Sequence, residues 1–166
     1  MTPPATSQDR PQQAPELHRR PRRRRRPTSA SAGILLLRET ASPGKARECV
    51  RAALADWLAS DAETDTAVLI VSELVTNAVT HTDSTLIRVV ATLLDDVVNL
   101  VVAAEQAHEG EIRADVAADG ADHGRGLLIV ETTADRWGVR PIKGVGCALA
   151  VWAECQLTAA PAGTTC

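Results

Sequence analysis

From about Asp65 to Thr82 the apolar positions recur with a helical period. Leu69, Val71, Leu74, Val75, Ala78 and Val79 fall on faces that can be buried, and Glu73, Asn77 and His81, four apart, make one polar stripe. Asp61 to Asp65 reads as a turn, with Thr64 or Asp65 capping this helix and Thr82 and Asp83 ending it. A second helical pattern, Ala46, Cys49, Val50, Ala53, Leu54, Trp57 and Leu58, follows Ser42 and Pro43, which read as its N-cap and first helical residue. Ile34 to Arg38 reads as a short strand. Leu86 to Leu94 and Val97 to Ala104 read as a hairpin turning at Asp95 and Asp96. Gly126 to about Ala134 predicts a third helix, and Arg136 to Arg140 with Cys147 to Leu157 predict a last strand pair. This order of elements implies an α+β fold, a two-layer sandwich with three helices on one face of a mixed, mainly antiparallel sheet.

Composition divides the chain into three parts. Residues 1–32 are rich in Pro, Ser, Thr and Arg, which predicts a disordered tail. Residues 33–157 form the expected domain, and residues 158–166 a frayed end. The net charge of −3 hides an asymmetry. The tail holds eight Arg against Asp9 and Glu16, or +6, leaving ten basic and nineteen acidic groups, or −9, for the rest. A bare Arg run is commonly a solvated segment, so nucleic acid is not an expected partner. With Trp57, Trp137 and Trp152 as its aromatic residues, the chain also lacks the means to stack single-stranded bases. Cys49, Cys147, Cys155 and Cys166 show no zinc or disulfide spacing, and no apolar run is long enough to span a bilayer. A cytoplasmic protein with reduced thiols and no membrane partner is expected.

The stripe on the long helix has two readings. Such a stripe is commonly just a solvated face. Chemically, though, a carboxylate can take a proton from an attacking hydroxyl, and an amide oxygen is a hard ligand suited to magnesium on a triphosphate. Downstream, in DHGRGLLIVETTADRWGV, Gly124 and Gly126 stand just before a helical run. Glycine there permits φ above zero and close approach of backbone N–H groups to an anion at a helix N-terminus, or marks an ordinary loop. His81 suits the helix C-terminus, where a cationic imidazole gains from the dipole.

ELVTNAVTH followed by GRGLLIV, ADRWGV and VWAE resembles the small anti-sigma-factor serine kinases, which carry the Hsp90-like, histidine kinase-like (GHKL) ATPase fold. The resemblance runs from about Gly33 to Leu157. It implies an ATP-binding regulatory kinase that moves the γ-phosphate to a serine of an anti-sigma-factor antagonist. ATP and Mg2+ would be the cofactors, and a sigma factor, the antagonist and a second subunit the expected partners. Glu73 then matches the catalytic base and Asn77 the magnesium ligand. Gly124, Arg125, Gly126 and Leu127 match the loop beneath the phosphates, with His81 and Glu105 also at the nucleotide site. The acidic, glycine-bearing stretch from Glu105 to His123 matches the ATP lid. Three positions depart from the pattern. Glu105 replaces the adenine-binding aspartate, and Leu149 and Ala150 stand where the family commonly has Lys-Thr. The alternative these departures support is a protein-binding module of the same fold, weak in nucleotide binding or inactive as a kinase.

Overall fold

The computed structural model describes residues 25–106, 125–142 and 147–158. The elements run β1 (Ser29–Leu37), α1 (Ser42–Asp56), α2 (Asp61–His81), β2 (Leu86–Leu94), β3 (Val97–Gln106), α3 (Arg125–Thr133), β4 (Arg136–Pro141) and β5 (Cys147–Gln156). The five strands form one sheet in the order β1-β2-β3-β5-β4, and every neighbouring pair is antiparallel. Three helices cover one face, giving the expected two-layer α+β sandwich.

Strand alternation explains the core. Ile87, Val89, Ala91 and Leu93 of β2 and Val98, Leu100, Val102 and Ala104 of β3 point toward the helices, as do Ala153 and Cys155 of β5. They meet Val50, Ala53 and Leu54 of α1 and Ile70, Val71, Leu74, Val75 and Ala78 of α2. Helix α2 lies centrally, packed against α1 on one side and α3 on the other. At roughly 1.5 Å per residue its 21 residues extend about 30 Å, and the polar stripe lies in the C-terminal half.

Several boundaries differ from the sequence reading, each for a local reason. Strand β1 begins at Ser29 instead of Ile34, because Ser29 to Gly33 pair along β2 from Leu94 to Val90. Residues 25–32 therefore belong to the folded body and not to a disordered tail. Helix α1 starts after Ala41, whose side chain makes no cap; the Ser42 hydroxyl instead donates to Leu37 O at 2.5 Å. That helix ends at Asp56, and Leu58 takes a left-handed φ of 59°. Helix α2 starts at Asp61, in the stretch read as a turn. Ser60 and Glu63 form a capping box, the Ser60 hydroxyl accepting from Glu63 N–H at 3.3 Å and Glu63 accepting from Ser60 N–H at 2.6 Å. The β2–β3 turn has positive φ at both central residues, 47° at Asp95 and 66° at Asp96, the geometry favoured by two-residue hairpins.

Arg26 closes this end of the molecule. One guanidinium nitrogen donates to Asp96 Oδ1 at 3.1 Å and Thr158 O at 3.2 Å. The other donates to Leu58 O at 3.2 Å and lies 3.5 Å from Glu63 Oε2. Thr28 O accepts from Asp95 N–H at 3.0 Å. The three left-handed non-glycine residues among the described residues, Leu58, Asp95 and Asp96, thus all stand next to residues 26–28.

Candidate functional site

Near the other end of α2, Glu73 and Asn77 are half-buried one turn apart, beside the buried Leu74 and Ala78 that anchor that side of the helix. Helix α3 packs there through Val130, which has no exposed surface. Gly126, one turn before Val130, comes against the polar stripe. A Cβ built on Gly126 would stand 2.7 Å from Glu73 Oε2, 3.3 Å from Asn77 Oδ1 and 3.5 Å from Asn77 Nδ2. The acid, the amide and one of the two glycines therefore converge.

Two further observations bear on what this cluster can hold. Asn77 Nδ2 is buried and has no hydrogen-bond partner among the described residues. An unsatisfied buried amide is costly, roughly 1–3 kcal/mol, and an amide can turn end for end, so Asn77 has a free valence to offer a ligand. The side-chain-free surface of Gly126 lies next to it. An oxygen-rich ligand with a magnesium ion fits this donor set, because magnesium needs few protein ligands when phosphates and water supply the others. Among the described residues no group of three His, Cys, Asp or Glu could hold a metal by itself. Any cation here would depend on the oxygens its ligand brings.

The remaining candidates fall as follows. His81 is exposed at the last position of α2, where its placement suits the helix dipole. Glu105 occupies the penultimate position of β3, its backbone opposite Ala148. Arg125 opens α3, and Leu127 is half-buried in its first turn. Gly124, the stretch 107–123 read as a lid, the turn 143–146, residues 1–24 and the end from Ala159 lie outside the described residues.

Strand parity separates the two departures at 149 and 150. Val151, Ala153 and Cys155 face the helices, so Leu149 shares their side of β5, whereas Ala150 lies on the opposite face between Ala103 and Arg140. A hydroxyl at 150 would not face the helix layer, whereas the side chain of Leu149 does.

One supporting contact was not legible beforehand. Arg47 of α1 donates to the Ser72 hydroxyl at 2.9 Å, pinning α1 to α2 one residue before Glu73. The two are 25 residues apart, and no local pattern pairs them.

The shifted titrating groups lie elsewhere. Burial pushes the Glu63 carboxyl upward, but the hydrogen bonds it accepts from Ser60 and Thr158 outweigh this and leave it lowered to about 2. Glu63 stands ten residues, roughly 15 Å, along α2 from Glu73. Burial and, secondarily, the charge of Asp135 raise the Cys155 thiol to about 11, so it is an inert core thiol. Cys49 and Cys155 are both free. No helix among the described residues is long and apolar enough to cross a membrane.

Comparison with known proteins adds the following. The model of the histidine kinase-like ATPase domain matches residues 36–151, a span that includes Glu73, Asn77, Gly126, all of β2, β3 and β4, the end of β1 and the first half of β5. No curated protein matches. Among solved structures, the RsbU and RsbW domains of Rv1364c from Mycobacterium tuberculosis superpose with a TM-score of 0.60 at 22% identity. The match covers 82% of this chain and 35% of that one. At this identity the likeness is one of fold, and it extends over about a third of the other protein.

Proposed function

Because this chain belongs to the histidine kinase-like ATPase domain family, we propose that it binds magnesium-ATP at the Glu73–Asn77–Gly126 cluster and acts as a serine kinase of the anti-sigma-factor type. The observation that carries the reading is the meeting of Gly126 with Glu73 and Asn77, with the buried Asn77 amide still lacking a partner among the described residues. Residues 25–158 would contain the ATPase-like domain, with a sigma factor and its anti-sigma-factor antagonist as the protein partners and the cytoplasm as the setting.

In this reading Asn77 turns its amide oxygen toward the metal, and magnesium, when bound, neutralises phosphate charge. Gly126 lets the phosphates approach the backbone of α3, whose N-terminal dipole favours anions. Glu73 orients the serine hydroxyl of the antagonist and takes its proton as the oxygen bonds to the γ-phosphorus and the bond to the ADP oxygen breaks. Most of the rate gain would come from holding these groups in place, which suits side chains fixed on packed helices. Glu105, Arg125, Leu127 and His81 would line the same site. Gly124 would complete the phosphate loop.

Transfer of labelled γ-phosphate to a serine-bearing antagonist protein tests this. Glu73→Ala should abolish transfer and leave the fold intact by circular dichroism; unaltered transfer would remove Glu73 from its role. Leu149 favours a second reading, a partner-binding module with weak nucleotide affinity, because it puts an apolar side chain on the helix-facing side of β5 where the resemblance calls for a cation or hydroxyl. Undiminished partner binding with no transfer from the wild-type protein would support it.

A further inference from the structure

Glycine 126 has a purpose that the phosphate does not explain. It stands in the first turn of α3 without a left-handed φ, so no backbone conformation requires it. Glycine is among the poorest helix formers, and an alanine would ordinarily be the better residue there. A side chain here would meet the Glu73 carboxylate, whose Oε2 would lie 2.7 Å from the Cβ, so this free end of a flexible side chain would have to swing out of its place, with Asn77 Oδ1 next at 3.3 Å.

We infer that Gly126 is a positioning residue for Glu73: the missing side chain forms the seat in which the carboxylate rests, so the place of α3 on α2 sets where that oxygen points. The inference deepens the kinase reading and rests on it for its functional consequence, though the seat itself exists in the ligand-free protein. It follows that α3 cannot shift against α2 without moving the proposed base. Val130, buried one turn further along, fixes the same face of α3 against the core and so holds the seat in register. The contact also separates two demands on the glycine. Approach of a phosphate would require a small residue whatever stood at position 73. The seat requires it only while Glu73 keeps its full length.

A double-mutant cycle in the full chain distinguishes them. Glu73→Asp withdraws the carboxylate by about 1.5 Å, one carbon–carbon bond, which takes it out of collision with an added methyl. In urea denaturation without ligand, Gly126→Ala should raise the midpoint less than the helix preference of alanine alone would when Glu73 is present, because the displaced carboxylate takes back part of that gain. In the Glu73→Asp background it should raise the midpoint by the full amount that the helix preference of alanine dictates. In magnesium-ADP titrations, Gly126→Ala should weaken binding about tenfold on its own and less in the Glu73→Asp background, where what remains is the part that phosphate approach alone demands. Equal effects of Gly126→Ala in both backgrounds, in the ligand-free midpoint, would overturn the seat. If the wild-type protein binds no magnesium-ADP, the kinase reading fails, while the urea cycle still decides the seat.

Discussion

Replacing Arg26 by alanine should destabilise the fold although the residue belongs to an arginine run that reads as a tail. The Arg26 side chain is 10% exposed and that of its partner Glu63 11%, so both are largely shielded. Truncation removes cationic donors from two carbonyls, Leu58 O and Thr158 O, and from the Asp96 carboxylate. Hydrogen bonds to charged groups are worth roughly 1.5–3 kcal/mol each when shielded, and pairs with half-exposed carboxylates such as Asp96 under about 1 kcal/mol. Two effects reduce the sum. Glu63 keeps its bonds from Ser60 and Thr158, so no carboxylate is orphaned, and the buried Arg26 Nε, which has no partner, ceases to cost anything. The net loss is about 2 kcal/mol, within the range for breaking a shielded hydrogen-bonded cluster. Equilibrium urea denaturation measures it, with the slope unchanged and the midpoint lowered. Arg26→Lys should recover little, because one ammonium cannot span acceptors that a planar guanidinium reaches from both nitrogens. A loss below about 0.5 kcal/mol, the size of an ordinary surface ion pair, would refute the view that Arg26 clasps the fold.

Further outcomes follow from neighbouring contacts. The Glu63 carboxyl, lowered to about 2 from an ordinary 4.5, contributes stability that is fully present above the unfolded value. It is lost as pH falls from about 4.5 toward 2, so acid unfolding of Glu63→Gln should lack that part of the transition when followed by far-ultraviolet dichroism. Identical acid profiles would contradict the shift. Gly138→Ala would bring a Cβ to 3.0 Å from the Trp152 ring across the β4–β5 pair, displacing the indole at a cost of roughly 1–3 kcal/mol, with a changed tryptophan emission. Unchanged emission would show that the ring does not rest on that glycine.

Much of this fold was legible because its strongest signals are periodic. The stripe Glu73–Asn77 and the apolar faces of α2 depend on spacing within one helix, and spacing survives folding. The Asp95–Asp96 hairpin turn was legible for the same local reason. The capping box was also written in the sequence, as Ser60 three residues before Glu63, but the polar run Asp61 to Asp65 looked like a turn and masked it. Arg26 was not legible, since its acceptors lie 32, 70 and 132 residues away and nothing local distinguishes it from the arginines before it. Gly126 was legible in part. Positive φ and close approach to an anion were both read there; Gly126 has no left-handed φ, and what stands closest to it is a carboxylate of its own chain. That Leu149 and Ala150 lie on opposite faces of β5 follows from strand parity once the strand's bounds are known.

The central claim is that Glu73, Asn77 and Gly126 form a nucleotide site, and calorimetric titration of the full chain with ATP, with and without magnesium, tests it most directly. The account predicts saturable, magnesium-dependent binding of one nucleotide per chain, lost in Asn77→Asp while thermal unfolding stays cooperative. No saturable heat from the wild-type protein at millimolar ATP, or an unchanged affinity in Asn77→Asp, would contradict it.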